Sequence, residues 1–93
     1  MPQKLEPSAL QTAVATLPNW SLENGELTRT LQFKDFLQAI AFVNRVAEKA
    51  EAAAHHPDID IRYNKVRLAL VTHDAGGITS NDVDMAKTLD SLL

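Results

Sequence analysis

The chain contains no cysteine. No disulfide can brace it and no thiolate can act as nucleophile, so a structural zinc ion would depend on histidine and carboxylate ligands alone. It also lacks any apolar run long enough to span a bilayer, and its opening residues, Met1-Pro2-Gln3-Lys4-Leu5-Glu6-Pro7, lack the apolar centre of an export signal. Membrane insertion and secretion are therefore not expected, and a cytoplasmic location is. Nor is there a basic block. The nine Lys and Arg are scattered through a chain of net charge −3, which leaves no cluster to release counterions from a phosphate backbone. Nucleic acid is not expected as a direct partner.

What is present suits an ordinary folded domain. Of 93 residues, 45% are apolar and 23% charged, enough for one core and too few for a second, so a single domain over 1–93 is expected.

The hydrophobic period changes several times along the chain. Ser8 and Gln11 have capping-box spacing, and Leu10, Val14 and Leu17 recur at helical intervals until Pro18, which predicts a helix over 8–17. Alternation on either side of Asn24-Gly25 predicts a tight hairpin in which Leu22 faces Leu27 and Trp20 faces Arg29, an aromatic beside a guanidinium. From Lys34 to Ala54 the spacing of Phe36, Ile40, Val43, Ala47 and Ala50 predicts a long helix. Pro57 should end it near Ala54 or His55, because the residue before a proline avoids helical geometry.

A second hairpin is predicted over 58–72, with Asn64-Lys65 as its turn. In that register Tyr63 faces Val66, Ile61 faces Leu68 and Ile59 faces Leu70, an apolar face for the helices, while Arg62, Arg67, Ala69 and Val71 lie on the other. Carried outward, the same register sets His56 opposite His73. Gly76-Gly77 breaks the chain before a last helix, capped by Thr79, stapled by Ile78 and Val83 and reaching about Leu92. Asp82 and Asp84 occupy its first turns, where the helix dipole favours negative charge. The expected fold is α+β, in the order α-ββα-ββα, with a four-stranded antiparallel sheet covered by helices on one face.

All three histidines, His55, His56 and His73, are thereby expected at one mouth, with Glu51 one helical turn before His55. Several groups titrating near neutrality in one place suit acid/base chemistry. Glu51 also reads as a solvated carboxylate at a helix end, Asp82 as a helix cap, and Trp20 as a core residue or as a platform for a flat ligand.

Glu51, three residues, His55-His56-Pro57, five residues, Tyr63, nine residues, His73, eight residues and Asp82 together resemble the signature of the pterin-4a-carbinolamine dehydratases. Phe33-Lys34-Asp35-Phe36, Tyr63-Asn64-Lys65-Val66 and His73-Asp74 followed by Gly76-Gly77 look like that family's recurring words, and the likeness runs from about Leu17 to the C-terminus. It implies loss of water from a 4a-hydroxytetrahydropterin by histidine acid/base catalysis, without metal or organic cofactor. By the same likeness His55 and His73 transfer protons, His56 orients the pterin, and Glu51, Asp82 and Trp20 support or bind. Residues 58–62 lack the aromatics of some animal members, and Asn81 stands where some members carry arginine, so no fixed positive charge is available there.

Two other readings compete. A metal site of His55, His56, His73 and a carboxylate suits the residue types but not the spacing, since adjacent histidines rarely reach one ion. An interaction module, the dimerisation-cofactor role known among animal members, would need an outward apolar stripe such as Leu89, Leu92 and Leu93 or Val43 and Val46. A homodimer or homotetramer is expected in any case, because a small sheet covered on one side leaves apolar surface to bury.

Overall fold

Pro7 starts the first helix. Its ring presets the backbone angle of a first helical residue, so α1 runs Pro7–Ala15 with Glu6 before it and no side-chain cap. Ser8 is inside the helix, and the expected Ser8/Gln11 capping box does not form. Leu17, placed in the helix by its period, lies beyond it and is buried. The computed structural model describes residues 2–93; Met1, the first residue of the expected domain, lies outside them. The described residues form three α-helices, four strands and a short 3₁₀ turn in the expected α-ββα-ββα order.

The first hairpin forms as its sequence dictates. Strands β1 (Ser21–Glu23) and β2 (Glu26–Gln32) pair antiparallel with Leu22 opposite Leu27. Asn24 and Gly25 both take positive φ, 52° and 79°, the geometry for which an Asn-Gly turn is selected. Helix α2 (Phe36–Ala53) starts at Asp35, whose carboxylate accepts from the Gln38 backbone N–H at 2.8 Å. Its buried face is Ala39, Phe42, Val46 and Ala50, rotated from the expected stripe, so Phe36 and Ala47 are exposed. Phe42 sits at the centre with its ring 5.1 Å from that of Phe33.

The second hairpin differs from expectation by one residue at its turn. Strands β3 (Asp58–Arg62) and β4 (Lys65–Leu70) pair Arg62 with Lys65, Ile61 with Val66 and Ile59 with Leu68. The turn is therefore Tyr63-Asn64, with Tyr63 at φ 54° and 67% exposed rather than facing the helices. Asn64 is held elsewhere. Its side-chain amide donates to the Phe33 carbonyl at 2.8 Å and its own carbonyl accepts from the Phe33 N–H at 2.8 Å, which extends the β2–β4 ladder by one pair. Moving both strand ends this way shifts the pairing by two positions, so the apolar face survives although the partners change.

The sheet order is β1-β2-β4-β3, antiparallel throughout. Leu27, Val66, Leu68 and Leu70 pack with Phe42 and Val46 of α2 and with Val83, Ala86 and Leu89 of α3 (Ser80–Asp90), so the helices lie on one face as expected. The opposite face carries Thr30, Gln32, Asp60, Arg62, Lys65 and Arg67, all exposed. Helix α3 ends at Asp90 rather than Leu92. Asp90 accepts from the Trp20 indole N–H at 2.8 Å and from the Arg29 guanidinium, which ties the helix end to the first hairpin. Trp20 and Arg29 thus meet through a shared carboxylate.

Candidate active site

His55 is delivered by the end of α2. Ala54 takes the left-handed conformation (φ 52°), its N–H donates to the Glu51 carbonyl at 3.1 Å and the His55 N–H to the Ala50 carbonyl at 3.1 Å. This is a Schellman ending with alanine where glycine is usual. The chain turns sharply there, and His55 folds back toward α3 instead of continuing outward.

The His55 ring is mostly buried, with 15% of its side chain exposed, and its Nε2 lies 2.6 Å from Oδ1 of Asp82, which is fully buried. Thr79 caps α3 by accepting the Asn81 N–H, and in return its own N–H donates to Asp82 Oδ2 at 2.9 Å. The Thr72 hydroxyl donates to the same oxygen at 2.8 Å, and the Thr79 hydroxyl lies 2.8 Å from that of Thr72. A buried carboxylate without partners would cost several kcal/mol; this one accepts from two neutral donors and an imidazole, and it sits in the first turn of α3, where the dipole favours negative charge. Among the described residues no buried side-chain nitrogen or oxygen lacks a partner.

The other two histidines are placed differently. His56 pairs through Nε2 with Glu51, both well exposed at 59% and 80%. His73 opens the 3₁₀ turn His73–Ala75 and is exposed. The expected His56–His73 cross-strand pair is not formed: β3 begins at Asp58 and β4 ends at Leu70, and the observed register carried outward sets His56 opposite Val71. The loop bearing His73 is closed instead by a bridge between Thr72 and Gly77, whose N–H groups donate to each other's carbonyls at 3.0 and 3.3 Å.

Of the residues singled out in the sequence, the structure joins His55 to Asp82 and His56 to Glu51. Trp20 is in the core, 4% exposed with its indole engaged by Asp90, and offers no open stacking face. Among the described residues no three His, Asp or Glu side chains group to hold a metal ion; His55 and His56 turn their Nε2 atoms to different carboxylates. Val46 and Leu89, parts of the proposed interaction stripes, are buried in the core. Thr72 was missed, and Thr79, expected and found as the cap of α3, was not connected with His55. Thr72 did leave a signal, being the polar residue that continues the inward-facing series Val66, Leu68, Leu70.

A cavity of about 180 Å³ beside His55 is lined by Ala53, Asn81, Asp84, Met85 and Thr88. A larger one, about 580 Å³, lies between Leu5 before α1, Leu10 within it, the first hairpin at Leu22 and Gly76-Gly77. It includes no histidine.

Comparison with known proteins identifies a family. The family described as Pterin 4 alpha carbinolamine dehydratase matches residues 3–92. A protein of Acidobacterium capsulatum, whose name places it among the pterin-4-alpha-carbinolamine dehydratases, is 58% identical over 90 residues, covering 97% of this chain and 98% of its own. One of Trichormus variabilis, similarly named, is 50% identical over 92 residues, covering 99% of each. The crystal structure of a transcriptional coactivator/pterin dehydratase from Brucella melitensis superposes with a TM-score of 0.92 at 33% identity, over 97% of this chain and 98% of that one. A pterin dehydratase-like protein identified as a RuBisCO assembly factor in the alpha-carboxysome shares the fold, with a TM-score of 0.64 at 22% identity over 78% of this chain and 84% of its own. The chain belongs to the pterin-4-alpha-carbinolamine dehydratase family.

Proposed function

From that membership and the His55–Asp82 pair, we propose that the chain is a one-domain hydro-lyase that removes water from 4a-hydroxytetrahydrobiopterin. A proton goes to the 4a-hydroxyl, the C4a–O bond breaks and water leaves. The N5 proton is taken up as the N5–C4a double bond forms, which gives the quinonoid dihydropterin. Neither proton transfer requires a metal or an organic cofactor. Imidazole suits both because its unperturbed pKa lies near the working pH.

The observation that carries this reading is a mostly buried imidazole held by a fully buried carboxylate at 2.6 Å. A carboxylate only accepts, so His55 presents Nε2–H to Asp82 and keeps Nδ1 free as the base. In this assignment His73 is the second proton-transfer group and His56, braced by Glu51, orients the pterin. Trp20 has no place in it, being buried.

We further propose that the protein acts in the cytoplasm on a small-molecule pterin, as a homodimer or homotetramer and without a nucleic-acid partner. Exposed Leu22, Phe36, Leu37, Ile59 and Tyr63 supply the surface for self-association. Sedimentation at micromolar concentration should give a multiple of 10.2 kDa, and a monomer would contradict this part.

Activity is tested with 4a-hydroxytetrahydropterin generated in the assay. The protein should accelerate loss of the 4a-hydroxyl above the uncatalysed rate, and prior treatment with chelator should leave that rate unchanged. No acceleration would remove the dehydratase reading and favour an interaction module, the kind of role named for the Brucella transcriptional coactivator/pterin dehydratase.

A further inference from the structure

We propose that Thr72 is a positioning residue whose hydroxyl determines which ring nitrogen of His55 is free. The catalytic consequence rests on the dehydratase reading; the structural one does not.

Hydrogen-bond direction is forced through the network. The Asp82 carboxylate can only accept, so the Thr72 hydroxyl at 2.8 Å from Oδ2 must donate to it. Having spent its one hydrogen there, Thr72 can only accept from the Thr79 hydroxyl 2.8 Å away. Thr79 accepts in turn from the Asn81 N–H. The relay therefore runs from Thr79 through Thr72 to Asp82 Oδ2, which also receives the Thr79 N–H. Among the described residues Asp82 Oδ1 has one partner, His55 Nε2. Two donors on Oδ2 hold the carboxylate plane and aim Oδ1 at the ring, and an oxygen that accepts there selects the His55 tautomer that carries hydrogen on Nε2.

Removing the Thr72 hydroxyl takes one of the two hydrogen bonds from Oδ2 and frees the carboxylate to turn, so that the one ring hydrogen, no longer held at Nε2 by Oδ1, can exchange through solvent to Nδ1. That tautomer presents a donor where the reaction needs a base. The Thr79 hydroxyl would lose its acceptor at the same time.

Thr72 has a second hold on the site through its backbone. Its bridge to Gly77 closes the turn that begins at His73. The side chain thus reaches one proposed proton-transfer histidine while the main chain shapes the loop of the other. A valine at this position keeps the backbone bridge and the shape and removes only the hydroxyl, so it separates the two functions.

The test uses the full chain labelled with ¹⁵N, reading the His55 ring nitrogens by NMR at a pH where the ring is uncharged, together with kcat and KM. Wild type should show hydrogen on Nε2. Thr72→Val should lose that fixed tautomer and lower kcat about tenfold or more with KM little changed, the size expected for losing a hydrogen bond to a buried charge. Thr72→Ser should restore both. Should Thr72→Val fail to fold, Thr72→Ala set against Thr72→Ser makes the same comparison. Wild-type His55 with its hydrogen on Nδ1, or hydroxyl-free variants with unchanged tautomer, would overturn the proposal. If the tautomers behave as stated but no form of the protein has dehydratase activity, the dehydratase reading falls and the positioning role stands.

Discussion

His55 and His56 are neighbours in the chain, and each sets Nε2 against a carboxylate, yet their surroundings are opposite. Asp82 is fully buried and His55 nearly so, whereas Glu51 and His56 are open to solvent. In water an ion pair of this kind is screened and contributes little. In the interior the same kind of pair, backed by two further donors to its carboxylate, is held in one geometry. Proximity to a carboxylate is therefore not what distinguishes the two histidines. The network behind the carboxylate is.

The comparison is broken most directly by kinetics. His55→Ala should lower kcat by roughly 10²–10⁴-fold, the usual worth of a positioned acid/base group. His56→Ala should chiefly raise KM, since it removes an interaction made alike in ground and transition states. Steady-state rates on 4a-hydroxytetrahydropterin decide this, and equal effects on kcat would abolish the distinction.

Stability gives the next largest difference. Asp82→Ala strands Thr72, the Thr79 N–H and His55 in a buried site and should cost about 3–5 kcal/mol in urea unfolding. His55→Ala leaves Asp82 short of one donor and should cost about 1–3 kcal/mol. His56→Ala and His73→Ala, both at the surface, should unfold like wild type. A shared place at a hairpin mouth would make the three removals alike in stability; the buried contact to Asp82 separates His55 from the others.

The turn that delivers His55 offers a smaller effect of opposite sign. Ala54 holds a left-handed φ that glycine adopts without steric cost. Ala54→Gly should raise stability by about 0.5–1 kcal/mol and leave kcat near wild type, measured by urea unfolding and the same assay. A loss of stability would mean that the Schellman ending is not what holds His55 in place.

Glu51→Gln sharpens the contrast from the exposed side. It should not shift the unfolding midpoint at 0.15 M salt, where exposed charges are largely screened, and any effect should appear in KM. A clear drop in melting temperature would show that the Glu51–His56 pair carries more than its exposure implies.

Much of this was legible beforehand because it depends on adjacent residues. Asn24-Gly25 satisfies positive φ at both turn positions by itself, so the first hairpin and its register could be read directly. Thr79 is a short polar side chain that caps from one position, and the change from alternating to helical period separates strands from α2. The family signature is likewise a matter of spacing along the chain. The first helix was misplaced because Ser8 and Pro7 both signal a start, and proline's fixed φ prevailed.

By itself, then, the sequence determined the order of elements, the α+β class, the first hairpin and the membership of the family, since turn chemistry, capping and hydrophobic period act within a few residues. Only the tertiary structure decided the second turn, where Asn64 is captured by Phe33, 31 residues away, and the company of His55, whose carboxylate lies 27 residues on. A β4 strand with two partners must satisfy both ladders, so its turn answers to β2 as well as to β3. Likewise, a buried carboxylate takes whatever donors the packed core brings within reach, and which donors those are depends on how α2, β4 and α3 meet.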